Sequence, residues 1–136
     1  MQTPDNFCTK KSNLKFVTKR KLKPKEINDL LFAEKICKFV KSNAIVYVKN
    51  NATIGIGAGQ MSRLDSAKIG AQKAKEFYNK NILKNSIVAS DAFFPFSDSI
   101  DIFGKIGVKA IIQPGGSIKD QSVIERANKF NIAMVF

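Results

Sequence analysis

The run "GVKAIIQ", residues 107–113, carries apolar side chains at consecutive positions rather than alternate ones. A strand of that kind needs cover on both faces, so the run demands a sheet with helices on either side. Two more short apolar runs, residues 87–89 and the closing "IAMVF", lie on either side of it in the chain. The stretches between the three read as helices, which makes βαβ units with parallel strands.

Upstream, "AIVYVK" (residues 44–49) and "TIGIGA" (residues 53–58) flank Asn50 and Asn51. Two asparagines tolerate positive φ, and the pair predicts a hairpin turn between antiparallel strands. In the second strand Gly55 and Gly57 alternate with Ile54 and Ile56, so one face is bare backbone. A bare face invites close approach by another backbone or by a flat ligand.

Helices complete the expected order. Ile27, Leu30, Leu31, Ile36, Phe39 and Val40 recur at three- and four-residue steps after Pro24, a residue suited to a helix start. Leu64, Ala67, Ala71, Ala74 and Tyr78 form a stripe of mostly small apolar residues that permits close packing on a sheet. Residues 100–105 read as a short helix. Val123, Ile124, Ala127 and Phe130 mark the last one, with Ser117 and Asp120 spaced as a capping box before it. The fold expected is α/β in three layers, α/β/α, with a mixed sheet: an antiparallel hairpin followed by parallel strands. Residues 1–25 are polar and irregular and read as a leader or linker; residues 26–136 read as the domain.

Totals remove several function classes. A chain of 136 residues with 44% hydrophobic content suits one folded domain. No apolar run approaches the roughly 20 residues of a membrane span, and the N-terminus lacks a signal-peptide core, so a cytoplasmic protein is expected. Cys8 and Cys37 show no metal-ligand spacing and are expected to be reduced thiols. The absence of histidine excludes, within this chain, a Ser–His–Asp triad, a histidine base and a histidine-ligated zinc. A zinc nucleoside deaminase also needs a Pro-Cys-x-x-Cys segment, which is missing. A net charge of +12 favours anionic partners. A nucleic-acid module would need that charge gathered on one face; apart from "TKRKLKPK" at residues 18–25, the lysines are spread out, and no nucleic-acid partner is expected.

In a sheet of this type ligands bind beyond the carboxyl ends of the parallel strands. Three loops leave those ends: "GAGQMSR", "SDAFFPFSD" and "QPGGSIKD". Gly57, Gly59, Gly115 and Gly116 are placed to offer backbone N–H groups to an anion, although neither a Walker loop nor a complete dinucleotide fingerprint is present. The second loop is unusual in holding Phe93, Phe94 and Phe96 around Pro95. At least one ring is expected to plug the core; the others, stiffened by Pro95, suit a flat heterocycle, with Asp98 offering carboxylate oxygens to its N–H groups. Asp91 reads equally well as a helix cap.

The segments "VKSNAIVYVKN", "TIGIGAGQMSR", "SDAFFPF" and "IIQPGGSIKDQ" closely resemble, in order, the C-terminal part of AICAR transformylase. This is the formyltransferase half of a bifunctional purine biosynthesis enzyme whose other half is IMP cyclohydrolase. The resemblance runs from about Leu14 to Phe136. It implies a cytidine deaminase-like fold and metal-free transfer of a formyl group from 10-formyltetrahydrofolate to AICAR, in a homodimer. It implies Asn43 as the catalytic position and Phe93 and Asp98 as substrate contacts. Around the folate it implies Gln60, Met61, Arg63, Leu64, Pro95, Phe96, Pro114 and Gly115, with Arg63 meeting the folate's carboxylate tail. The family's Lys–His pair and its Arg- and His-rich tail are not in this sequence, and Ser97 stands where relatives often carry arginine. The chain is therefore expected to be a piece of the enzyme, or a degraded copy of it, carrying one wall of the active site, and a poor catalyst by itself.

Overall fold

The computed structural model describes residues 13–136. The expectations for Cys8 and for the first half of the leader lie outside the described residues. The elements run α1 (Pro24–Cys37), β1 (Ile45–Lys49), β2 (Ala52–Gly57), α2 (Arg63–Phe77), β3 (Ile87–Ser90), α3 (Asp98–Ile106), β4 (Ala110–Ile112), α4 (Asp120–Lys129) and β5 (Ala133–Val135).

The five strands form one mixed sheet in the order β2-β1-β3-β4-β5. β1 is antiparallel to both β2 and β3, while β3, β4 and β5 are parallel. Asn50 and Asn51 sit at φ 53° and 61°, the left-handed pair that closes the hairpin. A register shift lies on β1 between Tyr47 and Val48, just before that turn.

Alternation along the strands divides the interior in two. Ile45, Tyr47, Val88, Ile111 and Met134 point to the face covered by α2, α3 and α4. Val46, Val48, Ile87, Ala89, Ile112 and Val135 point to the face covered by α1, through Leu30, Ala33 and Cys37. The three-layer α/β/α reading holds, with the consecutive apolar residues of β4 serving both cores.

Gly55 and Gly57 are bare for a packing reason. A Cβ on Gly55 would strike the carbonyl of Gly70, and one on Gly57 the carbonyl of Ser66. The backbone of α2 lies directly on this strand, so of the two occupants the glycines invite, another backbone is the one that took the face.

Several boundaries differ from the sequence expectation. α1 stops at Cys37, because Phe39 and Val40 donate to the carbonyls of Ile36 and Cys37 and turn the chain toward β1; Phe39 is left exposed. Tyr78, expected on the buried stripe of α2, is its half-exposed C-terminal cap and packs edge-on against Phe77. The apolar run after α3 shortens to Ala110–Ile112, since Gly107 takes the left-handed position that ends α3.

Residues 13–23 are irregular yet fastened to the β5 edge. Lys15 and Phe136 exchange backbone hydrogen bonds at 2.9 and 2.8 Å, Leu14 is buried, and the N–H of Met134 donates to Thr18 Oγ1 at 2.7 Å. Arg20 and Lys109 pair with the buried Glu26 carboxylate, which also accepts from the Lys23 N–H. Among the described residues, no helix is long and apolar enough to cross a membrane.

Candidate functional site

One end of the sheet gathers four connections. The chain enters β1 there through residues 38–44 and leaves β2, β3 and β4 through the three loops singled out in the sequence. Asn43 stands in the first of these. Its backbone N–H and side-chain Nδ2 both donate to the Gln60 carbonyl, at 3.4 and 3.1 Å, and Ser66 Oγ donates to the Asn43 carbonyl at 2.5 Å. Asn43 and Gln60, seventeen residues apart in sequence, are thus joined.

Asp91, first residue after β3, is the hub beside them. Its carboxylate accepts from Ser42 Oγ, from the Ala44 N–H at 3.1 Å and from Arg63 at 3.2 Å. It caps no helix; α3 starts seven residues later, with Ser97 in the cap position. Arg63 opens α2 and lies largely buried on Asp91, with its Nε buried and unpartnered. Burial against Asp91 happens because Ser62 caps α2, accepting from the Asp65 N–H, and fixes the first turn beneath the β3 loop.

The three rings of the β3 loop separate. Phe94 is fully buried and plugs the core. Phe93 is partly exposed and faces Gly116 across to the β4 loop, and Phe96 is exposed. Asp98 is exposed at the start of α3, where one carboxylate oxygen accepts from the Ser99 N–H at 2.9 Å. Met61 is almost fully exposed on the β2 loop, beside the half-buried Leu64. Pro114 is exposed, and Gly115, at φ +71°, sits where a Cβ would meet the Phe136 ring.

Three of the four glycines expected to offer N–H groups to an anion spend them internally. Gly59 donates to the Lys41 carbonyl, Gly115 to Gln113 Oε1 and Gly116 to Asp120 Oδ2. The Asp120 carboxylate also takes the Ser117 N–H, which is half of the expected capping box; the other half is missing, because Ser117 Oγ accepts from the Lys119 N–H and Lys119 holds the cap position.

A cleft of about 320 Å³ lies on the α1 side of this sheet end, lined by Cys37, Lys38, Ser42, Ser90, Asp91 and Pro114. The Cys37 thiol is buried, 3.6 Å from the Ala44 carbonyl. Burial, with Asp91 and Glu34 adding to it against Arg63, pushes it up to about 12, so it stays a neutral thiol.

Sequence reasoning missed Ser42 and Ser66 and gave Asp91 the wrong duty. The only advance signal for Asp91 was an acid directly after a buried strand, which many loops share.

The AICARFT/IMPCHase bienzyme family model matches residues 1–73. The chain is 56% identical over 137 residues to the bifunctional purine biosynthesis protein PurH of Chlorobium chlorochromatii, covering all of this chain and 26% of that protein. To the PurH proteins of Xanthomonas axonopodis pv. citri and Bartonella bacilliformis it is 54% and 52% identical, again over its whole length and 25% and 26% of theirs. The chain thus spans about a quarter of the length of the curated relatives it matches. A family model over residues 1–73 and identities above 50% across the whole chain leave one assignment: the chain belongs to the AICARFT/IMPCHase bienzyme family.

Proposed function

We propose that this chain forms one wall of the formyltransferase site in a bifunctional enzyme of purine biosynthesis. The reaction passes the formyl group of 10-formyltetrahydrofolate to the 5-amino group of AICAR. The amine nitrogen bonds to the formyl carbon, the bond from that carbon to folate N10 breaks, and a base outside this chain takes the amine proton while N10 gains one and leaves as tetrahydrofolate. The product, formyl-AICAR, is then closed to IMP by the cyclohydrolase half. The enzyme works as a homodimer in the cytoplasm.

Within this reading Asn43 is the catalytic contact. One of its amide N–H groups is committed to the Gln60 carbonyl, which holds the second N–H and Oδ1 ready for the formyl oxygen or the attacking amine. Phe93 offers a ring face to the imidazole, and Asp98 keeps a carboxylate oxygen for its N–H groups. Gln60, Met61, Arg63 and Leu64 on one side, and Pro95, Phe96, Pro114 and Gly115 on the other, border the folate. Arg63 is tied to Asp91, so it serves the folate through its remaining N–H groups rather than as a free cation.

The observation that carries the reading is the bolting of Asn43 to Gln60 at the strand end where the aromatic loop and the Pro114–Gly115 turn also emerge. The test is the full-length enzyme carrying Asn43→Ala. Formyl transfer should fall by about 100- to 1000-fold, while cyclisation of formyl-AICAR continues. Loss of cyclisation with transfer intact would move the chain to the other half of the enzyme.

A further inference from the structure

We infer that Asp91 is a positioning residue for Asn43, an inference that rests on the formyltransferase reading. Its carboxylate holds the residues on both sides of Asn43: Ser42 through its hydroxyl, and Ala44 through its N–H at 3.1 Å. The Asp91 N–H returns to the Ala44 carbonyl at 3.3 Å, so the two backbones are locked as well. The same carboxylate takes Arg63 at 3.2 Å, which sets the first turn of α2. From that helix Ser66 Oγ reaches the Asn43 carbonyl, and from the loop before it Gln60 receives the Asn43 amide.

One carboxylate thus fixes both supports of the Asn43 side chain, the β1 approach and the α2 start. Apolar packing holds Ala44 and Ala67 behind these supports, but the residues that reach the site are less covered: Ser42 is exposed, and Asn43 and Arg63 are only partly buried. Charge-assisted hydrogen bonds are the strong ones available there, and a carboxylate can accept all three donors at once. Asparagine cannot: its nitrogen offers no lone pair, so at least one donor is released and Arg63 loses its counter-charge. Displacing a catalytic amide by an ångström costs on the order of 100-fold in rate without removing any substrate contact.

The experiment uses the full-length bifunctional enzyme with Asp91→Asn, Ser42→Ala and, as reference, Asn43→Ala. Asp91→Asn should lower kcat for formyl transfer about 30- to 100-fold, with KM for AICAR and folate within about threefold and cyclisation unchanged. Ser42→Ala, an exposed residue losing one of the three contacts, should lower the same kcat about 3- to 10-fold with an unaltered melting temperature. If Asn43→Ala abolishes transfer while both Asp91→Asn and Ser42→Ala keep the parent kcat, the positioning role is overturned and the reading of the site survives. If Asn43→Ala itself leaves transfer intact, the reading falls and takes this inference with it. A parallel fall of both activities, in step with melting temperature, makes Asp91 a purely structural residue and also overturns the inference.

Discussion

The Phe94 ring meets the Phe103 ring edge-on, with 5.8 Å between centroids and 72° between planes. Phe103 makes a second edge contact with Tyr47, at 6.0 Å, and the Tyr47 hydroxyl donates to the Ala67 carbonyl at 2.7 Å. The β3 loop is therefore anchored through one ring to α3, β1 and α2. That anchor is what allows Phe93 and Phe96, one residue before it and two after, to remain at the surface.

Phe94→Ala should destabilise the protein by about 3–5 kcal/mol, since it opens a cavity among buried neighbours. Phe96→Ala should change stability by no more than about 0.5 kcal/mol, as an exposed ring away from such contacts. Thermal or urea unfolding of the two variants measures the contrast. Equal losses would mean that the loop is not divided into an anchor and a surface part.

Gly57→Ala should cost about 1–3 kcal/mol, because the methyl group meets the Ser66 carbonyl and must push α2 off the strand. Ser66 also holds Asn43, so formyl transfer in the full-length enzyme should drop more than the stability loss explains. A variant with parent melting temperature and parent transfer rate would show that the helix does not press here.

Glu26 supplies a pH dependence. Burial raises its carboxyl, but the Arg20 hydrogen bond, the Lys23 N–H and the charges of Arg20 and Lys109 outweigh burial and hold it below the ordinary 4.5. A lowered folded value means the stabilisation is complete above the unfolded pKa and is lost as pH falls through the folded one. Glu26→Gln should therefore cost about 1–3 kcal/mol at pH 7, with the gap to the parent closing as the pH falls below the ordinary 4.5 and through the lowered folded value. Unfolding curves at pH 7 and pH 3 decide it; a gap of constant size across that range rejects the assignment.

Much of the architecture was written in local patterns. The unalternating run of β4 required two covered faces, and Asn50–Asn51 required a hairpin. Both follow from constraints each residue carries itself: side-chain direction and backbone φ. The loops of the site were legible for a related reason, since Gly, Pro and aromatic clusters at strand ends are visible without a fold. Where helices end was less legible, as Phe39 and Tyr78 show; an apolar stripe says which face is buried but not where the chain must turn to reach the next strand.

The sequence by itself determined the α/β class, the hairpin, the loops that meet at the sheet end and, through agreement over the whole chain, the family. Only the tertiary structure decided that the glycines of β2 accept a helix backbone and that the loop glycines spend their N–H groups internally. It alone decided that Asp91 gathers Ser42, Ala44 and Arg63. The Asp91 contacts join residues 28 to 49 positions apart, the glycine contacts form where the chain turns back on itself, and no residue carries in its own chemistry the identity of the neighbour that folding brings to it.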